Sequence, residues 1–200
     1  MTHYVYLVRH GEHQHAEHGL VDGPLSPRGR RQAAALADRL SGVPLSTVRH
    51  SPLERAAETA RAVADRLPSV SPEPSALLFD CIPSGPAPET PKVYEPFFGS
   101  VTEAEIEAGS AQMADAGAEF LRSHREDRHD LLITHNFVIA WLVREALGAP
   151  EWRWLSIHQA NCGLTVLTQK SGRPWNLLVH NDLAHLPFEL RTGLPEPYPL

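Results

Sequence analysis

Cysteine is scarce: the 200-residue chain has only Cys81 and Cys162. Two thiols are too few for a disulfide framework, and they read as separate and reduced. Long basic runs are also absent, and the formal charge is -6 with histidine neutral. Phosphate-backbone binding wants clustered Lys and Arg, so no nucleic-acid partner is expected, although a negative total leaves room for a locally positive pocket. The N-terminal apolar run Tyr4-Val5-Tyr6-Leu7-Val8 is too short to span a membrane and has neither a basic lead-in nor a cleavage site. The expectation is a cytoplasmic protein without a membrane partner. No internal repeat or second domain is visible, so residues 1–200 read as one domain. What the chain has in plenty is histidine, twelve residues, most of which must serve surface or packing roles. Hydrophobic residues, at 42%, match the globular norm and suffice for a genuine core.

Strand-like and helical segments alternate, which predicts an α/β fold with three α/β/α layers around a mainly parallel sheet. A first strand is expected over Tyr4–Val8. Ser26-Pro27 reads as an N-cap followed by proline at the first helical position, with Ala33, Leu36, Ala37 and Leu40 as the apolar stripe. A second strand is expected over Leu45–Val48. After it, Ser51 and Glu54 have capping-box spacing ahead of a helix that buries Ala56, Ala60 and Val63. The proline-dense stretch at about 69–96 predicts a long ordered loop on the substrate side, with one short strand near Ala76–Phe79; a solvated insertion is the alternative. Thr102 and Glu105 form another capping box. The charged run Arg125–Asp130 reads as an exposed turn. Leu131-Leu132-Ile133 reads as a strand buried on both faces, followed by a helix that Gly148 closes. Lys170-Ser171-Gly172-Arg173 reads as the turn of a final hairpin between Leu164–Thr168 and Trp175–Val179.

Open α/β sheets bind ligands beyond the carboxyl ends of their strands. Three such ends carry unusual residues: Arg9-His10-Gly11, the segment Ser51–Arg55, and Thr134-His135-Asn136. Helix N-termini there offer free N–H groups and a positive dipole end, both suited to an anion. Converging Arg9, Arg55, His10 and His135 would hold a dianionic phosphoryl group, since a guanidinium fork binds phosphate oxygens in pairs.

These residues, with Leu25-Ser26-Pro27-Arg28-Gly29-Arg30-Arg31-Gln32-Ala33 and Ser51-Pro52-Leu53-Glu54-Arg55-Ala56-Ala57-Glu58-Thr59-Ala60, resemble the histidine phosphatase superfamily, which includes phosphoglycerate mutase. The resemblance runs from about Val5 to the last hairpin. It implies a phosphoglycerate mutase-like fold and a phosphatase that needs no metal and no cofactor. His10 would be the nucleophile that becomes phosphorylated, with Arg9, Arg55 and His135 on the phosphoryl oxygens. The family's acid is a Glu in a Leu-x-Glu segment; here Leu78-Phe79-Asp80 offers Asp80, with Glu89 and Glu95 as substitutes. The continuation Cys81-Ile82-Pro83-Ser84-Gly85-Pro86 is similar to the protein-phosphatase branch. Glu12-His13-Gln14-His15 replaces the mutases' Ser-x-Trp-Asn run. The implied substrate is a phosphorylated small molecule or a phosphoprotein. A mutase-type phosphotransferase and a weakly active phosphoprotein-binding module are the rival readings.

Several residues keep two readings. Gly11, Glu12 and Asn136 are candidate substrate contacts, yet Glu12 also reads as a solvated loop acid and Asn136 as a plain N-cap. Ser51 reads first as a cap. His13, His15 and His18 have the proximity of a metal site but no partner ligand at familiar spacing, so they read as a pocket rim. His185 reads as a packing residue. Trp152 and Trp154 read as packing beside a loop, with a homodimer contact as the alternative.

Overall fold

A computed structural model describes residues 1–14 and 22–195. Among these residues six strands form one sheet in the order β3-β2-β4-β1-β5-β6. Here β1 is Thr2–Arg9, β2 Thr47–His50, β3 Pro72–Pro74, β4 Arg128–Thr134, β5 Leu164–Lys170 and β6 Asn176–Asp182. The pairs β3/β2, β2/β4 and β4/β1 are parallel, while β1/β5 and β5/β6 are antiparallel. The sheet is therefore mainly parallel, with the expected hairpin added at one side.

Alternation along β1 and β4 splits the core between two faces, as parallel strands covered on both sides require. Val8, Leu131 and Ile133 pack with α1 (Pro27–Leu40) and α2 (Glu54–Ala64). Val5, Leu7 and Leu132 pack with α4 (Glu103–Phe120) and α5 (Asn136–Ala146) on the opposite face. The short α3 (Glu95–Phe98) places Phe97 and Phe98 against Trp154. Among the described residues no helix is long and apolar enough to cross a membrane.

Local signals hold at two helix starts. Ser26 accepts the Gly29 N–H at 2.9 Å with Pro27 in the first turn, and Thr102 and Glu105 form their reciprocal capping box. Gly29 also permits a close crossing, because a Cβ there would lie 2.0 Å from the Glu12 carbonyl oxygen.

Four expectations need correction. The Ala76–Phe79 segment is a 3-10 turn over Ala76–Leu78, and the edge strand lies earlier, at Pro72–Pro74. Periodicity cannot separate a short apolar strand from a buried turn, and proline is tolerated at a sheet edge. The second strand runs two residues later than expected, over Thr47–His50. Ser51 and Glu54 form no capping box: Leu53 is the N-cap of α2, and the Glu54 N–H donates to the Asp22 carboxylate at 3.0 Å. Arg125–Asp130 is not all turn, since β4 begins at Arg128 and Asp130 is buried.

Candidate active site

Parallel register brings the site together. Arg9 pairs with Thr134 across β1/β4, and His50 pairs with Ile133 across β2/β4. The next residues along these strands, His10, His135 and Ser51, therefore emerge side by side at the carboxyl edge of the sheet. The His10 and His135 rings lie 5.1 Å apart. Arg55, from the first turn of α2, reaches between them: its Nε donates to His10 Nε2 at 3.1 Å and its Nη2 donates to His135 Nδ1 at 3.2 Å. Asp80 approaches from the far wall, 3.5 Å from Arg55 and 3.7 Å from His135. Arg9 Nη1 donates to the carbonyls of Gln159 and Gly193 at 2.9 and 2.6 Å, while its buried Nε has no partner among the described residues.

These contacts fix both tautomers. The Gly11 carbonyl, an acceptor only, lies 2.7 Å from His10 Nδ1, so Nδ1 carries the proton. The Nε2 lone pair is left facing the Arg55 donor. His135 accepts at Nδ1, so its Nε2–H donates to Ser51 Oγ at 2.8 Å. Burial, then neighbouring groups, holds both imidazoles well below the usual histidine range: on His10 burial acts first, then His135 and the two guanidinium groups, and on His135 burial, then Arg55. Both rings are neutral at pH 7. Desolvation raises the Asp80 carboxyl above its ordinary value, against the pull of Arg55 and Arg9. The cleft thus joins a neutral imidazole whose Nε2 lone pair accepts from Arg55, two guanidinium groups and a carboxyl whose pKa burial has raised.

The model of the histidine phosphatase superfamily (branch 1) matches residues 5–78 and 92–183. The chain belongs to that superfamily. Among curated relatives, the serine/threonine-protein phosphatase Pgam5, mitochondrial, of Caenorhabditis elegans is 28% identical over 192 residues, covering 93% of this chain and 65% of that protein. PGAM5 of Homo sapiens is 30% identical over 196 residues, covering 93% of this chain and 64% of the other. The chain thus spans just under two thirds of the length of these relatives. The α-ribazole phosphatase of Shigella flexneri superposes with a TM-score of 0.73 at 22% identity, over 90% of this chain and 96% of that one. The architecture is the phosphoglycerate mutase fold.

In this member of the superfamily, Arg9, His10, Arg55, His135 and Asp80 line a hollow of two adjoining parts that share Arg9, His10, Asp80 and Phe137. Asn136 also lines it, but its Oδ1 accepts the Gln159 N–H at 2.7 Å and its helix is capped by His135. Gly11 and Glu12 turn away. The Gly11 N–H donates to Thr59, and the Glu12 carboxylate takes Ser26 Oγ at 2.7 Å and Arg28 at 3.2 Å. Glu89 and Glu95 are exposed and line no part of the hollow, so neither can substitute for Asp80. His13 stands at the rim, 5.8 Å from the His10 ring, whereas His15 and His18 lie outside the described residues. Trp154 is buried and donates to Ser84, which removes it from any surface contact; Trp152 is half-buried under the Arg153 guanidinium. His185 bonds the Cys162 carbonyl at 3.0 Å.

Sequence reading missed the scaffold beneath the site. Gln159 donates its side-chain amide to the Leu7 and Gly163 carbonyls, accepts from Thr165, donates its backbone N–H to Asn136, and presents its own carbonyl to Arg9. Asn161 donates to the His10 carbonyl at 2.9 Å, and Thr59 ties Gly11 to Arg55. Asp22 pairs with Arg55 at 3.3 Å. The available signal was Gln159-Ala160-Asn161-Cys162-Gly163 ahead of a strand, a polar turn whose antiparallel pairing with β1 sets it beside Arg9. A second group at ligand distances, His3, His124 and Asp130, sits at the other end of the sheet, where His3, Arg128 and Thr47 already occupy the Asp130 oxygens.

Proposed function

We propose that the protein hydrolyses phosphomonoesters through a phosphohistidine on His10. The observation that carries this reading is the locked His10 tautomer: Nδ1 is held by the Gly11 carbonyl and the Nε2 lone pair lies beside Arg55 in a buried pocket. A neutral imidazole so fixed is a competent nucleophile near pH 7. His10 Nε2 attacks phosphorus, the P–N bond forms as the ester P–O bond breaks, and the Asp80 carboxyl protonates the departing alkoxide. The Asp80 carboxylate then takes a proton from water as that water displaces His10, releasing phosphate. Arg9, Arg55 and His135 hold the equatorial oxygens, where charge is spread in the transition state. Asp80 is shorter than the family's Glu, yet it lies within 3.5 Å of Arg55, which supports its role as the acid and counts against a binding module without turnover. PGAM5 relatives carry protein-phosphatase names, so phosphoproteins stand beside small phosphomonoesters as candidate substrates.

The test is a phosphatase panel on native protein and His10→Ala, with acid-labile phosphate on the protein followed in parallel. Native protein should release inorganic phosphate and become transiently labelled, and the variant should do neither. Normal turnover by His10→Ala would overturn the mechanism. Monophosphoglycerate isomers in place of inorganic phosphate would identify mutase-type transfer.

A further inference from the structure

The hollow has two unequal limbs that share Arg9, His10, Asp80 and Phe137. The smaller, of about 330 Å³, is walled by polar groups including Asn136 and His158. The larger, of about 730 Å³, is walled by Leu53, Phe79, Cys81, Ile82 and Ala108. We infer that the larger limb receives the leaving group and selects an uncharged, apolar alcohol, so that preferred substrates carry phosphate on an aromatic or aliphatic group instead of on a polyol or a second acid. This inference rests on the reading of His10 as nucleophile.

Three observations carry it. First, Arg55, whose Nε holds the attacking Nε2 of His10, lines only the larger limb. His135, on the other side of the seat, lines only the smaller limb, so the phosphoryl group sits where the two limbs meet, and Asp80, which borders both, can protonate a leaving group lying in the larger one. Second, nothing among the described lining residues would pair a second anion. The fixed cations there, Arg9 and Arg55, belong to the phosphoryl seat, burial lowers the His13 pKa so that it is neutral at pH 7, and Glu105 adds a carboxylate at the rim. A carboxylate-bearing substrate would meet repulsion and unpaired desolvation. Third, the wall is apolar and braced. Phe79 is 38% exposed at the mouth beside Asp80, an aromatic surface left open to a guest. Gln112, the one amide in the limb, spends its Nε2 on the Leu77 and Phe79 carbonyls at 3.3 and 2.8 Å. Ser110 bonds the Pro83 carbonyl, and a Cβ at Gly109 would lie 1.9 Å from the Ile82 carbonyl oxygen. Helix α4 thus holds the 77–83 wall in place, and a preformed apolar wall binds an apolar guest without ordering cost.

The comparison substrates are 2-phenylethyl phosphate, glycerol 3-phosphate and 3-phosphoglycerate, all with alkyl leaving groups so that departing-alkoxide basicity stays comparable. We expect kcat/KM for 2-phenylethyl phosphate to exceed both others by roughly a hundredfold. Phe79→Ser should reduce that ratio about tenfold. Ala108→Lys, at an exposed position of α4 on the limb, should raise kcat/KM for 3-phosphoglycerate about tenfold by supplying the missing cation. Equal or better turnover of glycerol 3-phosphate or 3-phosphoglycerate by native protein, with His10 still labelled, would overturn this inference and leave the phosphohistidine mechanism standing. An absence of both turnover and label with every ester would overturn the mechanism as well.

Discussion

At their N-terminal ends, β1 and β4 bring His3, Arg128 and Asp130 together; at their C-terminal ends the same strands deliver Arg9, His10 and His135, with Asp80 opposite. The side-chain types are nearly identical, but the bonding is not. Asp130 receives His3 at 2.9 Å, Arg128 at 2.6 Å and Thr47 at 2.6 Å, so its charge is consumed within the protein. Asp80 stands 3.5 and 3.7 Å from its neighbours, and its side chain keeps 45% of its surface accessible. The carboxyl groups respond oppositely: three hydrogen-bond donors drive Asp130 well below the usual range despite its burial, whereas desolvation lifts Asp80. One cluster is closed and structural. The other is loosely bonded around a hollow, which is what a site that must accept phosphate and move a proton requires.

Substitutions that separate the two ends test the comparison. The largest effect belongs to His10→Ala, expected to lower kcat by roughly four orders of magnitude or more while Tm changes little. Asp80→Asn should lower kcat about 10²- to 10⁴-fold through loss of the acid. Asp130→Ala should do the reverse, costing about 3 kcal/mol in denaturant unfolding because His3 and Arg128 lose their buried partner. It should leave acid-labile labelling of the folded fraction intact.

The pH dependence of stability should carry opposite signs at the two carboxylates. Asp130, depressed when folded, contributes stability present above its unfolded pKa of about 3.9 and lost as pH falls through its lower folded value. Asp80, raised when folded, contributes stability present below about pH 3.9 and lost as pH rises through its folded value. At pH 7, Asp130→Asn should therefore lower Tm and Asp80→Asn should raise it; the Asp80 difference should vanish as pH falls through its raised folded value to about 3.9, whereas the Asp130 difference should begin to shrink only below about 3.9. Matching signs would end the contrast. The smallest change expected is Ser26→Ala, at the start of α1, which should cost about 1 kcal/mol by removing the α1 cap.

Much of the upper cluster was legible in the chain. Arg9, His10, Arg55 and His135 stand in local motifs at strand ends and a helix start, and such motifs keep their meaning when read one at a time. Asp80 was reached by resemblance, from the Leu78-Phe79-Asp80 segment. The lower cluster was not legible: Arg128 and Asp130 sit in a charged run that looks like a turn, and only pairing with β1 buries Asp130 against His3. The Ser51 cap failed for a related reason. Its hydroxyl reaches only the Leu53 N–H at 3.4 Å, bonds His135, 84 residues away, at 2.8 Å, and leaves the Glu54 N–H to Asp22.

By itself the sequence determined the alternating elements, the two-faced strands, the Ser26 and Thr102 caps and the types of group available for chemistry, because each depends on residues within a few positions of one another. Only the tertiary structure decided which carboxylate is tightly bonded and which stays available, which nitrogen of His10 holds the proton, and that Gln159 and Asn161 brace the nucleophile. Those outcomes follow from distances and desolvation created when residues about 150 positions apart meet, and no local pattern encodes them.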